Sequence, residues 1–514
     1  MEKFATLSEF QAVVREVLKD GAQTYEQQTY RLAKLAENSL PYPVGEDHDF
    51  FPLYENGSIC DLDEGHGPYA PRYILPDYEK FLREGSAFLR LEPARDLLSA
   101  VTQLLILYHH VPSITRFPVY IGSLDRLLEP FVQEAGAEAA RPILKNFLLQ
   151  LDRTVDDSFC HGNLGPKESL TGRLLLELLP ELQIATPNMT LLYDPQVTPD
   201  DFAALAVKSS LTCANPAFAN HPLYEREYRA HGSDYGIASC YNALPYGGGA
   251  YTLSRLRLNK IAQNSASFED FMEEELPRAV TALAEFMEAK IDFLKNESAF
   301  FQHNFLVKEG LIHPENFVGL FGVVGIHECV AELLEKRGEE GLFGTDKNAD
   351  DLAVTVLERV EELVAAFTSK HSGKFGHRFI LHAQVGAAGD QGTTAAHRIQ
   401  IGKEPDLYTH IRQTARLQPF FPSGVGDHFP FDETARENPQ AVLDIFKAGF
   451  ALGNRYLSAY NDDGDLIRVT GYLVKKSDVE KFARGEQVHY DTVQYAQDPL
   501  QKYGVARRKV EAVE

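Results

Sequence analysis

Two positions in the sequence hold residues whose type and setting suit chemistry. Cys240 stands in SDYGIASCYNALPYGGG, among polar and turn-forming residues and away from any helical or strand periodicity. A cysteine in a reducing compartment is usually a small buried apolar residue, and this setting does not explain Cys240 that way. Gly471 stands at the centre of LIRVTGYLVKK, residues 466–476, an apolar run that predicts a buried strand. Glycine weakens a strand interior, because it costs backbone entropy and contributes no side chain to pack. The stretch Arg468-Val469-Thr470-Gly471-Tyr472 also fits a five-position pattern, Arg-Val-x-Gly-aromatic. Ordinary residue usage would produce that pattern in a chain of this length on the order of 1 % of the time.

Other candidates suit other chemistries less well. His327, Glu328 and Cys329 in GIHECVAELL are metal-ligand types, but adjacent residues on a helix point in different directions. The HExxH spacing fails because position 331 is Ala. A helix N-terminus closing a strand is the expectation there, with His327 or Glu328 facing a substrate. Gly247, Gly248 and Gly249 lack the GxxxxGK[ST] frame, and no GxGxxG follows a strand, so phosphate binding by those motifs is not indicated. Cys213 in SSLTCANPAF and Cys160 in DDSFCHGN read as strand-end cysteines.

Loops that carry such residues need a scaffold. At 514 residues the chain is long enough for two to four domains, or for one large barrel with additions. Up to about residue 150 apolar residues recur at three- and four-residue intervals, as in PARDLLSAVTQLLILYHH, around an irregular stretch at 41–76 that is expected to wrap the surface. Beyond 150, strand-like runs (TLLYD, ALAVKSSLTCA, FVGLFGVVG, HRFILHAQVG) alternate with long helical segments such as DLAVTVLERVEELVAAFTSKH. That alternation predicts an α/β core whose strands are covered by helices, with chemistry at the strand-end loops. Four loops qualify: HGNLGPKES at 161, CYNALPYGGGAYT at 240, HAQVGAAGDQGTT at 382 and FPSGVGDHFPFDET at 421.

Composition narrows the partners. Fifty basic against 74 acidic residues give a formal charge of −24, a surface that repels nucleic acid and anionic membranes. The five cysteines are scattered without a CxxC pair, which argues against a disulfide framework or a tetracysteine zinc site. The N-terminal stretch is acidic and amphipathic, unlike a signal peptide, and the longest apolar runs are too short to span a bilayer. A cytoplasmic protein acting on a small molecule is the expectation.

The Arg-Val-x-Gly-aromatic pattern is that of glycyl radical enzymes, and the resemblance extends further. TPNMTLLYD, the stretch ending CANPAF, and IASCYNALPYGGG resemble the active-site cysteine region of anaerobic ribonucleotide reductases, where a cysteine is likewise followed by a triple glycine. FGVVGIHECVAELL also looks like a segment of those enzymes. Together with VYIGSLDRLLEPF, HGNLGP and RVTGYLVKK, the chain looks closest to the YjjI-type branch, over most of residues 110–514.

That resemblance implies a ten-stranded α/β barrel with a helical N-terminal region over 1–150, the barrel and its cysteine loop over 151–440, and a C-terminal glycyl radical domain over 441–514. It implies a protein radical stored on Gly471 as the only resident cofactor, and a thiyl radical formed on Cys240 as the catalytic species. A separate radical S-adenosylmethionine activase with an iron–sulfur cluster would install the radical, since this chain shows no such ligand set. The segment NDDGD at 461 would act as a hinge, and a homodimer is implied. Candidate substrate-binding groups in the barrel loops are His161, Asn163, Cys213, Asn215, Glu328, Gln384 and Asp390, with Cys213 also a candidate second redox thiol; no metal is expected.

Departures from the known branches limit what can be carried over. The chain looks too short for the nucleotide-sensing domain of the anaerobic reductases and lacks the cysteines of their zinc site. Cys240 is followed by Tyr241 rather than the second cysteine of formate-lyase-type enzymes, and position 242 is Asn where dehydratases and decarboxylases commonly place Glu. Elimination or carbon–carbon cleavage on a small polar substrate is therefore expected ahead of ribonucleotide reduction. The alternative of a non-catalytic homologue sits poorly with the presence of both Gly471 and Cys240.

Overall fold

Among the described residues the apolar runs form fifteen strands, which build two principal sheets and two hairpins. A computed structural model describes residues 6–493 except 63, 115, 156–158, 384–392, 401, 462 and 470. The first sheet contains β3 (Tyr120–Ser123), β4 (His161–Leu164), β5 (Asn188–Tyr193), β6 (Ala217–Asn220), β12 (Asp427–Phe431) and β13 (Tyr456–Asn461), in the order β12-β13-β6-β5-β4-β3. The second contains β1 (Ile59–Cys60), β2 (Tyr73–Leu75), β9 (Gly248–Arg257), β10 (Phe317–Val324) and β11 (Ile380–Ala383), with β1, β9, β10 and β11 in line and β2 also paired to β9. Strands β3 to β6 are parallel to one another, as are β9 to β11 and the pair β12–β13. The antiparallel contacts in these sheets are β1–β9, β2–β9 and β6–β13, the last two where one half gives way to the other.

The two sheets also meet along their remaining edges. The Tyr78 hydroxyl, just after β2, donates to the Tyr120 carbonyl at 2.6 Å, and the Ala383 amide donates to the Gly424 carbonyl at 3.1 Å, ahead of β12. The result is the ten-stranded α/β barrel, β2-β3-β4-β5-β6-β13-β12-β11-β10-β9, with β1 paired to the end of β9 away from β2. Two of its strands, β2 and β3, arise within the first 150 residues, ahead of the boundary expected at 151. Helices lie between successive strands, and the strands read as nearly unbroken buried runs because both faces are covered.

One strand expectation fails. ALAVKSSLTCA lies in the helix Asp200–Cys213, so Cys213 ends a helix rather than a strand. Its buried positions Phe202, Ala203, Ala206, Val207, Ser210 and Leu211 recur at three- to four-residue intervals, and alanine is the strongest helix former, so helical spacing outweighs the local apolar run. The triple glycine has a steric explanation. A side chain on Gly248 would meet the Asn316 carbonyl at 2.2 Å, and one on Gly249 the Tyr73 carbonyl at 2.0 Å, so these glycines let β9 lie against its neighbours.

Asp125, in the first turn of the helix Leu124–Ala135 after β3, ties that helix to the turn after β4. Its carboxylate accepts from the Gly165 amide at 2.7 Å and the Arg126 amide at 2.8 Å. Burial pushes its carboxyl up to about 7. The folded chain therefore holds a proton that the unfolded chain releases near pH 4, and this group's contribution to stability falls as pH rises from there to about 7. Asp125→Asn removes that slope. The stability of the variant relative to wild type is expected to climb with pH, by at most about 1.4 kcal/mol per unit, in melting curves across that window. A difference independent of pH would refute the assignment.

Candidate active site

Cys240 sits at the tip of a hairpin that runs through the inside of the barrel. Strands β7 (Tyr235–Ala238) and β8 (Asn242–Pro245) pair antiparallel, so the stretch that lacks periodicity in the sequence is the three-residue turn 239–241 with a short strand on each side. The hairpin is held from both walls. Asn163 of β4 receives the Ile237 amide at 2.9 Å and donates to the Ile237 carbonyl at 2.9 Å. On the other side the Ala243 amide donates to the Ser423 carbonyl at 2.7 Å, and the Tyr241 hydroxyl donates to the Ala383 carbonyl of β11 at 2.8 Å. At the tip Ser239 takes a left-handed backbone, φ 57°, which turns the chain sharply into Cys240.

Gly471 meets this tip from a second hairpin. The run LIRVTGYLVKK is not one strand with a glycine at its centre but two, β14 (Leu466–Arg468) and β15 (Leu473–Lys475), paired antiparallel with Gly471 in the connection. The missing side chain is a packing requirement: a Cβ on Gly471 would fall 2.1 Å from Cys240 Cβ and 2.6 Å from Cys240 Cα. No other residue brings the two backbones this close. Both residues are buried.

Arg468, the first residue of the five-position pattern, is the anchor of this second tip. Its buried guanidinium donates to the Ala214 carbonyl at 2.8 Å, to the Gly471 carbonyl at 3.3 Å and to Asn188 Oδ1 at 2.8 Å. Asn188, the first residue of β5, donates from Nδ2 to the same Gly471 carbonyl at 2.6 Å. Charge-assisted hydrogen bonds contribute about 1.5–3 kcal/mol each in buried surroundings, so this cluster decides whether the glycine tip stays docked. Asn188→Ala is expected to loosen it: amide exchange in residues 466–475 should accelerate at least about tenfold while exchange in β5 and β6 changes far less. Equal acceleration throughout would mean the cluster supports the whole fold instead.

The surroundings are dry and cationic. Burial pushes the Cys240 thiol up to about 12 against the opposing effects of Arg398, the Gly471 backbone and Arg468, so at neutral pH the sulfur carries its hydrogen. Burial likewise pushes Cys213 up to about 11. His161, fully buried at the start of β4, is held well below the ordinary imidazole range by burial and then by Arg468. His428 of β12 is held low by burial, Arg398 and Arg468. Tyr241 follows Cys240 and packs its ring 5.8 Å from that of Tyr456 and 6.3 Å from that of His428. Among the described residues there is no cluster of three or more metal-ligating side chains, and no helix is long and apolar enough to cross a membrane.

The other sequence candidates are placed as follows. His161 lies beside Arg468 and the cysteine tip. Asn163 spends its whole amide on the cysteine hairpin, and Asn215 spends its own on the Met189 amide at 2.8 Å and the Pro187 carbonyl at 2.9 Å, bracing the start of β5. Cys213 donates to the carbonyls of Ser209 at 3.3 Å and Asn215 at 3.4 Å, with Arg468 close enough to act on both its thiol and that of Cys240. Glu328 binds the Thr394 amide at 3.0 Å and its hydroxyl at 2.8 Å. The helix Ile326–Arg337 that carries it follows β10, as the strand-closing reading expects. Gln384 and Asp390 lie outside the described residues.

Sequence reasoning misses Asn188, Arg398, Tyr456 and His428, and it gives Arg468 no role. For Arg468 the signal available is its place as the first residue of the five-position pattern. The others sit far apart in ordinary strand and loop contexts.

Against known proteins, the family model described as glycyl radical enzyme YjjI-like matches residues 23–511. A Haemophilus influenzae protein is 43 % identical over 487 residues, covering 94 % of each chain. The fold resembles the anaerobic ribonucleotide reductase of Thermotoga maritima solved with MES in the active site, with a TM-score of 0.71 and 14 % identity over 91 % of this chain and 94 % of that one. It also resembles hydroxyproline dehydratase of Clostridioides difficile solved with trans-4-hydroxy-L-proline, with a TM-score of 0.67 and 12 % identity over 97 % of this chain and 88 % of that one.

Proposed function

Because the chain belongs to the YjjI-like family of glycyl radical enzymes, we propose that it is an anaerobic enzyme that stores its radical on Gly471 and works through Cys240. The observation that carries this reading is the backbone contact between the two tips, where a Cβ would lie 2.1 Å from Cys240 Cβ. An α-carbon radical is stabilised when it is planar and shares its electron with the amide nitrogen on one side and the carbonyl on the other, which a side chain would twist or crowd. Hydrogen bonds from Asn188 and Arg468 to the Gly471 carbonyl increase that carbonyl's electron-withdrawing character.

The relay conserves atoms at each step. The Gly471 radical takes the hydrogen atom from the Cys240 S–H bond, leaving glycine and a thiyl radical. The thiyl takes a hydrogen atom from substrate carbon, the substrate radical rearranges, and the product radical recovers a hydrogen atom from Cys240. A neutral thiol is what this sequence needs, and the upward shift of Cys240 supplies it. The barrel wall around both tips excludes water from the intermediates.

Substrate is a small polar molecule in this reading, and elimination or carbon–carbon cleavage is the favoured outcome. His161 lies within the site, while Asn163, Asn215 and Cys213 act from behind it by shaping the loops. A radical S-adenosylmethionine activase installs the radical after the C-terminal hairpin swings out, with residues 461–465 as the hinge. The Asx turn there, with the Asp463 amide on Asn461 Oδ1 at 2.9 Å, suits a pivot. The enzyme works as a cytoplasmic homodimer. Electron paramagnetic resonance after anaerobic incubation with the cognate activase tests the reading: a glycine-type doublet is expected, and its absence from the wild-type protein would overturn it.

A further inference from the structure

We infer that the substrate carries a compact oxyanion, a carboxylate or a phosphate, and that Arg398 receives it beside Cys240. This rests on the radical reading of the same site and adds the chemical class of molecule it takes.

Arg398 is the observation that carries the inference. Its Nε donates to the Gly426 carbonyl at 3.2 Å, and its guanidinium carbon lies 5.9 Å from the centre of the Tyr241 ring, next to the catalytic cysteine. Its Nη2 is shut away from solvent and has no hydrogen-bond partner among the described residues. Arg398 also has no carboxylate partner among those residues. A guanidinium is always charged and presents a planar fork matched to carboxylate and phosphate oxygens. Leaving part of that fork buried and unpaired is costly, and native structures rarely do so without a reason.

The nearby charges leave the position open for an anion. Arg398 and Arg468 both act on Cys240 and His428. Arg468 already donates from all three of its nitrogens, to Ala214, Gly471 and Asn188. The carboxylate that acts on His428 and Tyr241 is Asp427, and it is already committed to His397 at 3.2 Å and Gln418 at 3.1 Å. Two cations therefore face the cysteine against one engaged carboxylate.

Around the same tip His428 Nε2 is buried without a partner among the described residues, the Tyr456 hydroxyl lies between Thr190 and Arg468, and the His161 ring lies against the Cys240 backbone. His161, Thr190 and Tyr456 are fully buried. The Tyr456 ring packs 5.8 Å from that of Tyr241, which places it in the same region. A cation with one open arm, ringed by hydroxyl and imidazole groups, fits a short hydroxylated skeleton bearing one oxyanion better than it fits a neutral polyol.

Three ligands with a common three-carbon skeleton test this: glycerate, glycerol 3-phosphate and glycerol, titrated anaerobically by calorimetry into the unactivated wild-type protein, Arg398→Gln and Arg398→Lys. At least one of the two anions is expected to bind wild type at least about tenfold more tightly than glycerol. Arg398→Gln should lose that preference, and Arg398→Lys should retain part of it. Preference for glycerate identifies a carboxylate substrate, and preference for glycerol 3-phosphate a phosphate ester. Neither anion outbinding glycerol, or undiminished anion binding by Arg398→Gln, would overturn the inference. Should Arg398→Gln fail to fold, the wild-type comparison of anions with glycerol decides alone. Radical formation is read separately by paramagnetic resonance, so a missing doublet with intact anion binding would sink the radical reading and leave only the anion site at Arg398 standing.

Discussion

Gly471→Ala protein, incubated anaerobically with the activase, is expected to show no glycine-centred doublet and no turnover, and to melt below the wild type. Two independent causes produce this. The radical loses its site, because alanine's methyl group twists and crowds the planar arrangement that stabilises an α-carbon radical. The fold loses its fit, because the added Cβ would lie 2.1 Å from Cys240 Cβ and 2.6 Å from its Cα. No flexible side chain can move aside there, so one hairpin tip must retreat. Retreat breaks the hydrogen bonds of Asn188 and Arg468 to the Gly471 carbonyl and leaves those buried donors unpaired, at a cost of about 1–3 kcal/mol each. The spectroscopic and thermal effects are therefore expected together. A doublet that survives the substitution would place the radical elsewhere, and an unchanged melting temperature would mean the tips are not in contact.

The second large effect separates storage from relay. In deuterated buffer the Cys240 S–H becomes S–D, and each reversible transfer to Gly471 has a chance of returning deuterium to the α-carbon. The doublet arises from the single remaining α-hydrogen, so in wild-type protein it is expected to collapse to a singlet as that hydrogen is exchanged. Cys240→Ser should form the radical and keep the doublet, because an O–H bond is too strong to give up its hydrogen to a glycyl radical. Turnover should fall to background in the same variant. No substrate need be known for this measurement, which depends only on the contact between the two tips. Collapse of the doublet in Cys240→Ser would assign the relay to another group, and Cys213, which also lies within reach of Arg468, would be the next to substitute.

Much of the scaffold was legible locally. TLLY, FVGLFGVV and the ILHA of HRFILHAQVG fall on strands, because a parallel strand covered on both faces needs an unbroken apolar run and little else looks like one. The helix after β10 was legible from its spacing as well. ALAVKSSLTCA shows where that reasoning breaks: over a few residues an apolar run suits a strand or a buried helix equally, and only the longer spacing from Phe202 to Leu211 separates them.

The sequence by itself singled out the two positions that the proposal uses, since a pattern of five residues around Gly471 and a cysteine outside any regular periodicity are local facts. It determined the family too, and with it the barrel. Only the tertiary structure decided what surrounds them. Gly471 proved to lie at a hairpin tip because Leu466–Arg468 folds back on Leu473–Lys475, which an apolar run cannot announce. Asn163 and Asn215 look like substrate ligands in their loops, yet their amides are consumed by backbone groups far away in the chain. Arg398 and His428 look ordinary in sequence, yet both lie near Cys240 with a buried polar atom that has no partner among the described residues. Whether a polar group is spent or available depends on which partners reach it, and partners drawn from strands hundreds of residues apart are chosen by the closing of the barrel.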